Sequence, residues 1–186
     1  MKRTLLSLTT LSLAFAVAAN AAEDTALPPG QIDFGKFSTD SGGQLVEINL
    51  NSALINVAAQ VAAKADPEAV KVLSSLKSIR VSVVGMNDKN SSELKERIDS
   101  IRKQLREGGW ERVVTVQEKN DDVGIYTKMR GNEAVEGIVI TVIGGKKEAV
   151  FINLVGDIRP EQLASIAEKL NIAPLKQVAA AIGGKK

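Results

Sequence analysis

One stretch constrains the fold more than any other, residues 135–157, which read VEGIVITVIGGKKEAVFINLVGD. Two runs rich in Val and Ile flank a Gly-Gly-Lys-Lys connection, a pattern typical of two strands joined by a tight turn. With residues 144–147 as the loop, Ile143 is expected to lie opposite Glu148. Because successive side chains in a strand point to opposite faces, both faces of this hairpin are predicted to be apolar.

On that pairing, one face of the hairpin holds the candidate interaction surface, Ile138, Ile140, Val142 and Phe151. A single layer of helices covers only one face of a sheet. The second face is therefore expected to be covered in one of four ways: by the leader or last helix of the chain, by a second copy in a homodimer, by another protein, or by an apolar ligand.

Periodicity and turn residues divide the rest of the chain into short elements. Strands are predicted at residues 44–50, 78–86, 110–118 and 123–130, and helices at 52–65, 67–76, 92–107 and from Pro160 to before Pro174. The first helix is expected to face the sheet with Leu54, Val57, Ala58, Val61 and Ala62. The order β-α-α-β-α-β-β-β-β-α predicts an α+β fold, a mainly antiparallel sheet of about six strands with helices packed mostly on one face.

The N-terminus predicts export. Lys2 and Arg3 precede a mostly apolar segment and the small residues Ala19-Asn20-Ala21, a pattern typical of a signal peptide over residues 1–21, cut between Ala21 and Ala22. An irregular leader is then expected at 22–43, a single domain at 44–182 and a flexible tail at 183–186. The mature chain is predicted to be periplasmic or secreted, with no transmembrane span and, because no cysteine is present, no lipid anchor.

Composition excludes several classes of chemistry. The chain has no cysteine and no histidine, which excludes disulfides, Cys/His zinc sites and imidazole-based triads. Without Lys2 and Arg3, 24 − 2 = 22 basic residues balance 22 acidic ones, and aromatic residues make up 3%. A neutral chain with few stacking platforms is not expected to bind nucleic acid. No catalytic, cofactor-binding or metal-ligating residues are predicted.

Several short motifs carry a family resemblance: Gly109-Trp110 entering a strand, Ile125, Tyr126 and Lys128 within the next, and Gly156-Asp157-Ile158 before the last helix. With them, residues 44–170 resemble the bacterial envelope proteins grouped as the domain of unknown function DUF4252. The resemblance implies an exported bacterial protein without assigned enzymatic activity, and it supplies no catalytic residues. Many members look like lipoproteins, whereas this chain has no cysteine to carry a lipid.

The sequence therefore favours an exported, non-enzymatic envelope protein that acts by binding another protein or itself. The alternatives are a small periplasmic hydrolase with carboxylate or serine chemistry and a carrier of an apolar ligand. An interaction protein predicts an exposed apolar patch, a hydrolase predicts a pocket with converging ionisable groups, and a carrier predicts an enclosed cavity.

Overall fold

The computed structural model describes residues 27–39, 43–117, 122–131, 134–144 and 147–159, together with Gln162 and Ser165. Nine elements follow one another in this part of the chain: β1 (Leu45–Asn51), α1 (Ser52–Ala62), α2 (Pro67–Ser75), β2 (Leu76–Gly85), α3 (Ser91–Glu107), β3 (Glu111–Gln117), β4 (Asp122–Arg130), β5 (Ala134–Gly144) and β6 (Glu148–Ile158). The predicted last helix is described only at Gln162 and Ser165, which are helical.

Short polar side chains start the first two helices. The side chain of Asn51 accepts a hydrogen bond from Leu54 N at 3.0 Å, and that of Asp66 accepts one from Ala69 N at 3.1 Å. Each bond satisfies an amide that has no partner within its own helix. Pro67 follows Asp66 in the first turn of α2, where its missing N–H costs nothing.

The six strands form one antiparallel sheet in the order β1-β2-β6-β5-β4-β3. The hairpin strands β5 and β6 lie in the centre, and β1 and β3 form the two edges. This arrangement confirms the α+β class, the antiparallel sheet of six strands and the predicted order through β6.

Each face of the sheet has its own core. On the first face, Ile55 of α1 and Val72 of α2 pack with Ile138, Ile140 and strand residues around them. On the second face, α3 packs through Leu94, Ile98, Ile101 and Leu105, and the leader adds Ile32 and Phe34. Two of the three described helices thus share one face, and the third shares the other face with the leader.

The register between the hairpin strands β5 and β6 differs from the prediction by one residue. Gly144 lies opposite Glu148, and Ile143 lies opposite Ala149 rather than Glu148. The connection leaves Lys147 with a φ of 56°, and the loop is one residue shorter than expected. Because side chains alternate along a strand, this shift moves every β6 side chain to the face opposite the predicted one.

No helix within the described ranges is both long and apolar enough to cross a membrane.

Alternation along residues 123–130 predicts that one face of β4 meets water, but Ile125, Tyr126 and Thr127 are all buried. The exposed residues of β4, Met129 and Arg130, lie at its end. The prediction of a solvent-exposed face on β4 is wrong because α3 and the leader cover the side of the sheet that holds Tyr126.

Candidate interaction surface

The four residues predicted to form an interaction surface do not share one. Ile138, Ile140 and Val142 lie on the first face, opposite Leu154, Ile152 and Val150 of β6. Phe151 lies on the second face. Ile138, Ile140 and Phe151 are fully buried and Val142 is half-buried. The predicted grouping is wrong because it depended on the shifted hairpin register.

The leader covers Phe151. Cover by the leader is one of the four predicted ways in which the second face of the hairpin could be covered. Its ring centroid lies 5.7 Å from that of Phe34 and 4.7 Å from that of Phe37, both at tilted angles that aromatic pairs favour. The Arg97 guanidinium of α3 lies 5.6 Å from the centre of the Phe37 ring. The two phenylalanines therefore hold the leader against the second face of the sheet.

A buried amide fixes the path of the leader. Asn153 lies in the middle of β6 with no exposed area. Its Oδ1 accepts from Ile32 N at 3.1 Å, and its Nδ2 donates to Gly30 O at 3.0 Å and to Ile138 O at 3.2 Å. Sequence reasoning missed this residue, although a single amide inside an otherwise apolar strand was the available signal.

Glycines allow the leader backbone to approach β5 closely. Gly30 has a φ of 81°, and a Cβ built there would fall on the Glu136 carbonyl. Gly137 sits at the irregularity in the β5–β6 register, and a Cβ there would lie 2.6 Å from Gly30 Cα and 2.6 Å from the Trp110 ring. Neither position has space for a side chain.

The first helix exposes the side chains that were predicted to face the sheet. Ile55 and Ala59 are its buried residues, whereas Leu54, Val57 and Val61 are 50%, 57% and 76% exposed. Together with exposed Ala58 they stand at the i, i+3, i+4, i+7 spacing of one helical stripe, which we call the α1 stripe. None of the eleven residues of α1 is charged.

The neighbouring edge strand exposes apolar side chains as well. Val46 and Ile48 of β1 are 41% and 44% exposed, on the first face beside Val83 and Val81 of β2. The helix α1 begins directly after β1 and contacts both β1 and β2 from that same face. The α1 stripe and β1 therefore combine exposed apolar side chains with a strand edge that, within the described residues, pairs only with β2.

An ion pair joins α3 to the start of β4. Arg102, which is buried, donates to both carboxylate oxygens of Asp122, at 2.8 and 2.5 Å. These hydrogen bonds lower the pKa of Asp122 and raise the pKa of Arg102, in each case against the effect of burial. The pair is bidentate, the geometry in which arginine binds a carboxylate most firmly.

A small cluster of polar atoms is buried next to that ion pair. Arg102 Nε, Tyr126 Oη and Thr141 Oγ1 have no hydrogen-bond partner among the described residues. Gly124 lies among these side chains, since a Cβ built there would be 2.9 Å from the Tyr126 ring and 3.1 Å from Thr141 Oγ1. The three groups include both hydrogen-bond donors and acceptors.

A polar groove of about 520 Å³ separates the leader from α3. Asp33, Glu93, Glu96 and Arg97 are among the residues that line it. Arg97 Nη1 donates to Phe34 O at 3.1 Å, and Arg97 Nη2 lies 3.8 Å from Glu93 Oε1. The arginine thereby ties the leader to α3. Across the residues placed by the structure, no group of three or more acidic side chains is arranged to hold a metal ion.

Comparison with known families gives a match over most of this architecture. A family model described as a domain of unknown function, DUF4252, matches residues 41–166, more than half of the 186-residue chain. The chain belongs to the DUF4252 family. The DUF4252 segment contains the whole sheet, the three helices and the α1 stripe, whereas leader residues 27–39 precede it. Searches of curated proteins and of solved structures found no match.

Proposed function

We propose that this DUF4252 protein is an exported, non-enzymatic protein that acts by protein association, and that the α1 stripe is its docking surface. The observation that carries the proposal is the orientation of α1: three large apolar side chains are at least half exposed on a helix without a single charge. Burying one such side chain is worth about 1.5 to 3 kcal/mol. A folded chain that leaves them in water gains stability when a partner covers them.

A protein partner fits this surface better than a membrane does. Helices that lie in a membrane interface carry Lys and Arg on their polar face, which attract anionic lipids. The polar residues of α1 are Ser52, Asn56 and Gln60, all uncharged. An uncharged apolar helix of three turns beside a strand edge is typical of helix-in-groove and strand-addition contacts between proteins.

Export rests on the N-terminal sequence. Lys2 and Arg3, the apolar run and Ala19-Asn20-Ala21 support a signal peptide that is cut before Ala22, which directs the mature chain to the periplasm or the exterior. N-terminal sequencing of the mature protein and fractionation of cells test this part. A mature chain that starts at Met1 and stays in the cytoplasm would contradict it.

Site-specific photo-crosslinking in cells tests the docking surface. A photoreactive amino acid at Val57 or Val61, in the α1 stripe, is compared with one at Lys103, an exposed position on α3. We expect discrete covalent adducts of defined mass from both α1 positions and none from Lys103. Equal adduct patterns at all three positions, or no adducts at Val57 and Val61, would reject the α1 stripe as the docking surface.

A further inference from the structure

We propose that the partner of this surface is a second copy of the chain, and that two β1 strands pair antiparallel about a twofold axis at Ile48. The proposal deepens the proposed function and depends on it, because it names the partner of the same surface. It joins two six-stranded sheets into one continuous sheet and places the two α1 helices on the same face beside the seam.

The two edges of the sheet differ in their ability to pair with another strand. β1 pairs with β2 through all seven of its residues without a break in register. The other edge, β3, has an irregularity between Arg112 and Val114. Bulges protect an edge from strand addition, and so do lysine and proline, neither of which occurs in β1. The regular edge of β1 is therefore the one that accepts a further strand.

The β1 sequence complements itself. Ile48 is the central residue of Leu45–Asn51, so full-length antiparallel pairing of two copies places Ile48 opposite Ile48. Val46 then lies opposite Leu50 of the second copy, on the first face of the sheet. Apolar side chains meet across the seam at each of these positions, as stable cross-strand pairs require.

Charge also favours this register. Glu47 is the one ionisable residue of β1, and the register places it opposite Asn49 of the second copy rather than opposite another carboxylate. The Asn49 side chain accepts a hydrogen bond from Arg80 Nε at 3.3 Å. Two strand spacings, about 10 Å, separate the backbones of Glu47 and the second copy's Arg80. Long side chains bridge that distance, so the twofold axis brings two Glu–Arg attractions to the seam.

Because the chain has no cysteine, single cysteine variants test the register without background. Opposed residues of an antiparallel pair have Cα atoms about 4.5 to 5.5 Å apart, within disulfide range. Ile48→Cys is therefore expected to form a disulfide-linked dimer under mild oxidation. Val46→Cys is the matched control: it is almost equally exposed, but the two copies of position 46 lie about 14 Å apart, four residues along the strands.

A dimer trapped by Ile48→Cys and absent with Val46→Cys supports the proposal. Equal trapping of both variants indicates random collision and overturns it, as does trapping of Val46→Cys alone. No trapping of a folded Ile48→Cys chain also overturns it. If Val57 gives adducts with other proteins in cells while Ile48→Cys gives no dimer, the proposed function stands and the second copy is excluded.

A charge change provides an independent measurement. Glu47→Lys replaces two attractions to Arg80 with two repulsions, and we expect the dimer dissociation constant to rise about tenfold or more. Glu111→Lys, an exposed glutamate on the β3 edge, is the control and is expected to leave the constant unchanged. Equal changes in the two variants would contradict a seam at β1.

Discussion

Replacing Asn153 with alanine tests how the leader is held. The substitution removes three hydrogen bonds, two to the leader at Ile32 N and Gly30 O and one to Ile138 O. A hydrogen bond contributes about 0.5 to 1.5 kcal/mol net, and a buried backbone group left without a partner costs about 1 to 3 kcal/mol. We expect Asn153→Ala to lower the free energy of unfolding by about 3 kcal/mol.

The control and the assay follow from the same structure. Lys71→Ala removes one exposed hydrogen bond, from Lys71 Nζ to Glu68 Oε1 at 2.8 Å on α2, and is expected to leave the free energy of unfolding almost unchanged. Trp110, the one tryptophan of the chain, lies beside Gly137 and reports on the site where the leader crosses β5. Urea unfolding followed by tryptophan fluorescence gives the free energies of both variants.

Proteolysis separates leader release from global unfolding. Lys36 is a trypsin site within the leader. If the leader opens while the sheet stays folded, a loss of about 3 kcal/mol raises the population of the open leader about a hundredfold. The rate of trypsin cleavage at Lys36 is then expected to rise by the same factor. Equal stability and equal Lys36 cleavage in Asn153→Ala and Lys71→Ala would refute the assignment of Asn153 as the anchor of the leader.

Two further outcomes concern the buried polar residues near α3. The folded pKa of Asp122 lies below its ordinary value of 3.8, so its stabilisation is fully present above that value and is lost as the pH falls through the folded pKa. In urea titrations, the difference in unfolding free energy between the wild type and Asp122→Asn is thus expected to be constant at about 1 to 2 kcal/mol above about pH 5. The difference is expected to narrow at lower pH. A difference that widens on acidification would contradict the ion pair. Tyr126→Phe removes a buried hydroxyl for which the described residues offer no partner, so chemical denaturation is expected to show a change within about 0.5 kcal/mol. A loss above about 1.5 kcal/mol would show that the hydroxyl has a strong partner.

The element order was predictable because local signals agreed with one another. Asp66-Pro67 starts α2, Gly108 and Gly109 end α3, and alternation of Val and Ile marks the strands. The hairpin register was not predictable, because three- and four-residue loops fit the same Gly-Gly-Lys-Lys sequence. That one-residue difference moved Phe151 to the face covered by the leader.

The orientation of α1 could not be predicted either. Only three of its eleven residues are polar, so hydrophobic periodicity selects no single face. Packing on the sheet selected Ile55 and Ala59 and left the predicted stripe in solvent. The candidate surface thus arises because α1 has apolar residues on more than one face and the sheet covers only one of them. Asn153 is the reverse case, a lone polar residue whose partners lie far away in the chain.

Sedimentation at rising protein concentration tests the association surface most directly. We expect the purified wild-type chain to reach twice its monomer mass, and Val57→Lys, in the α1 stripe, to keep it monomeric at concentrations where the wild type is dimeric. Val113→Lys, an exposed valine on the opposite edge strand β3, is expected to leave the dimer intact. A wild type that stays monomeric, or a dimer lost equally in both variants, would contradict association through α1 and β1.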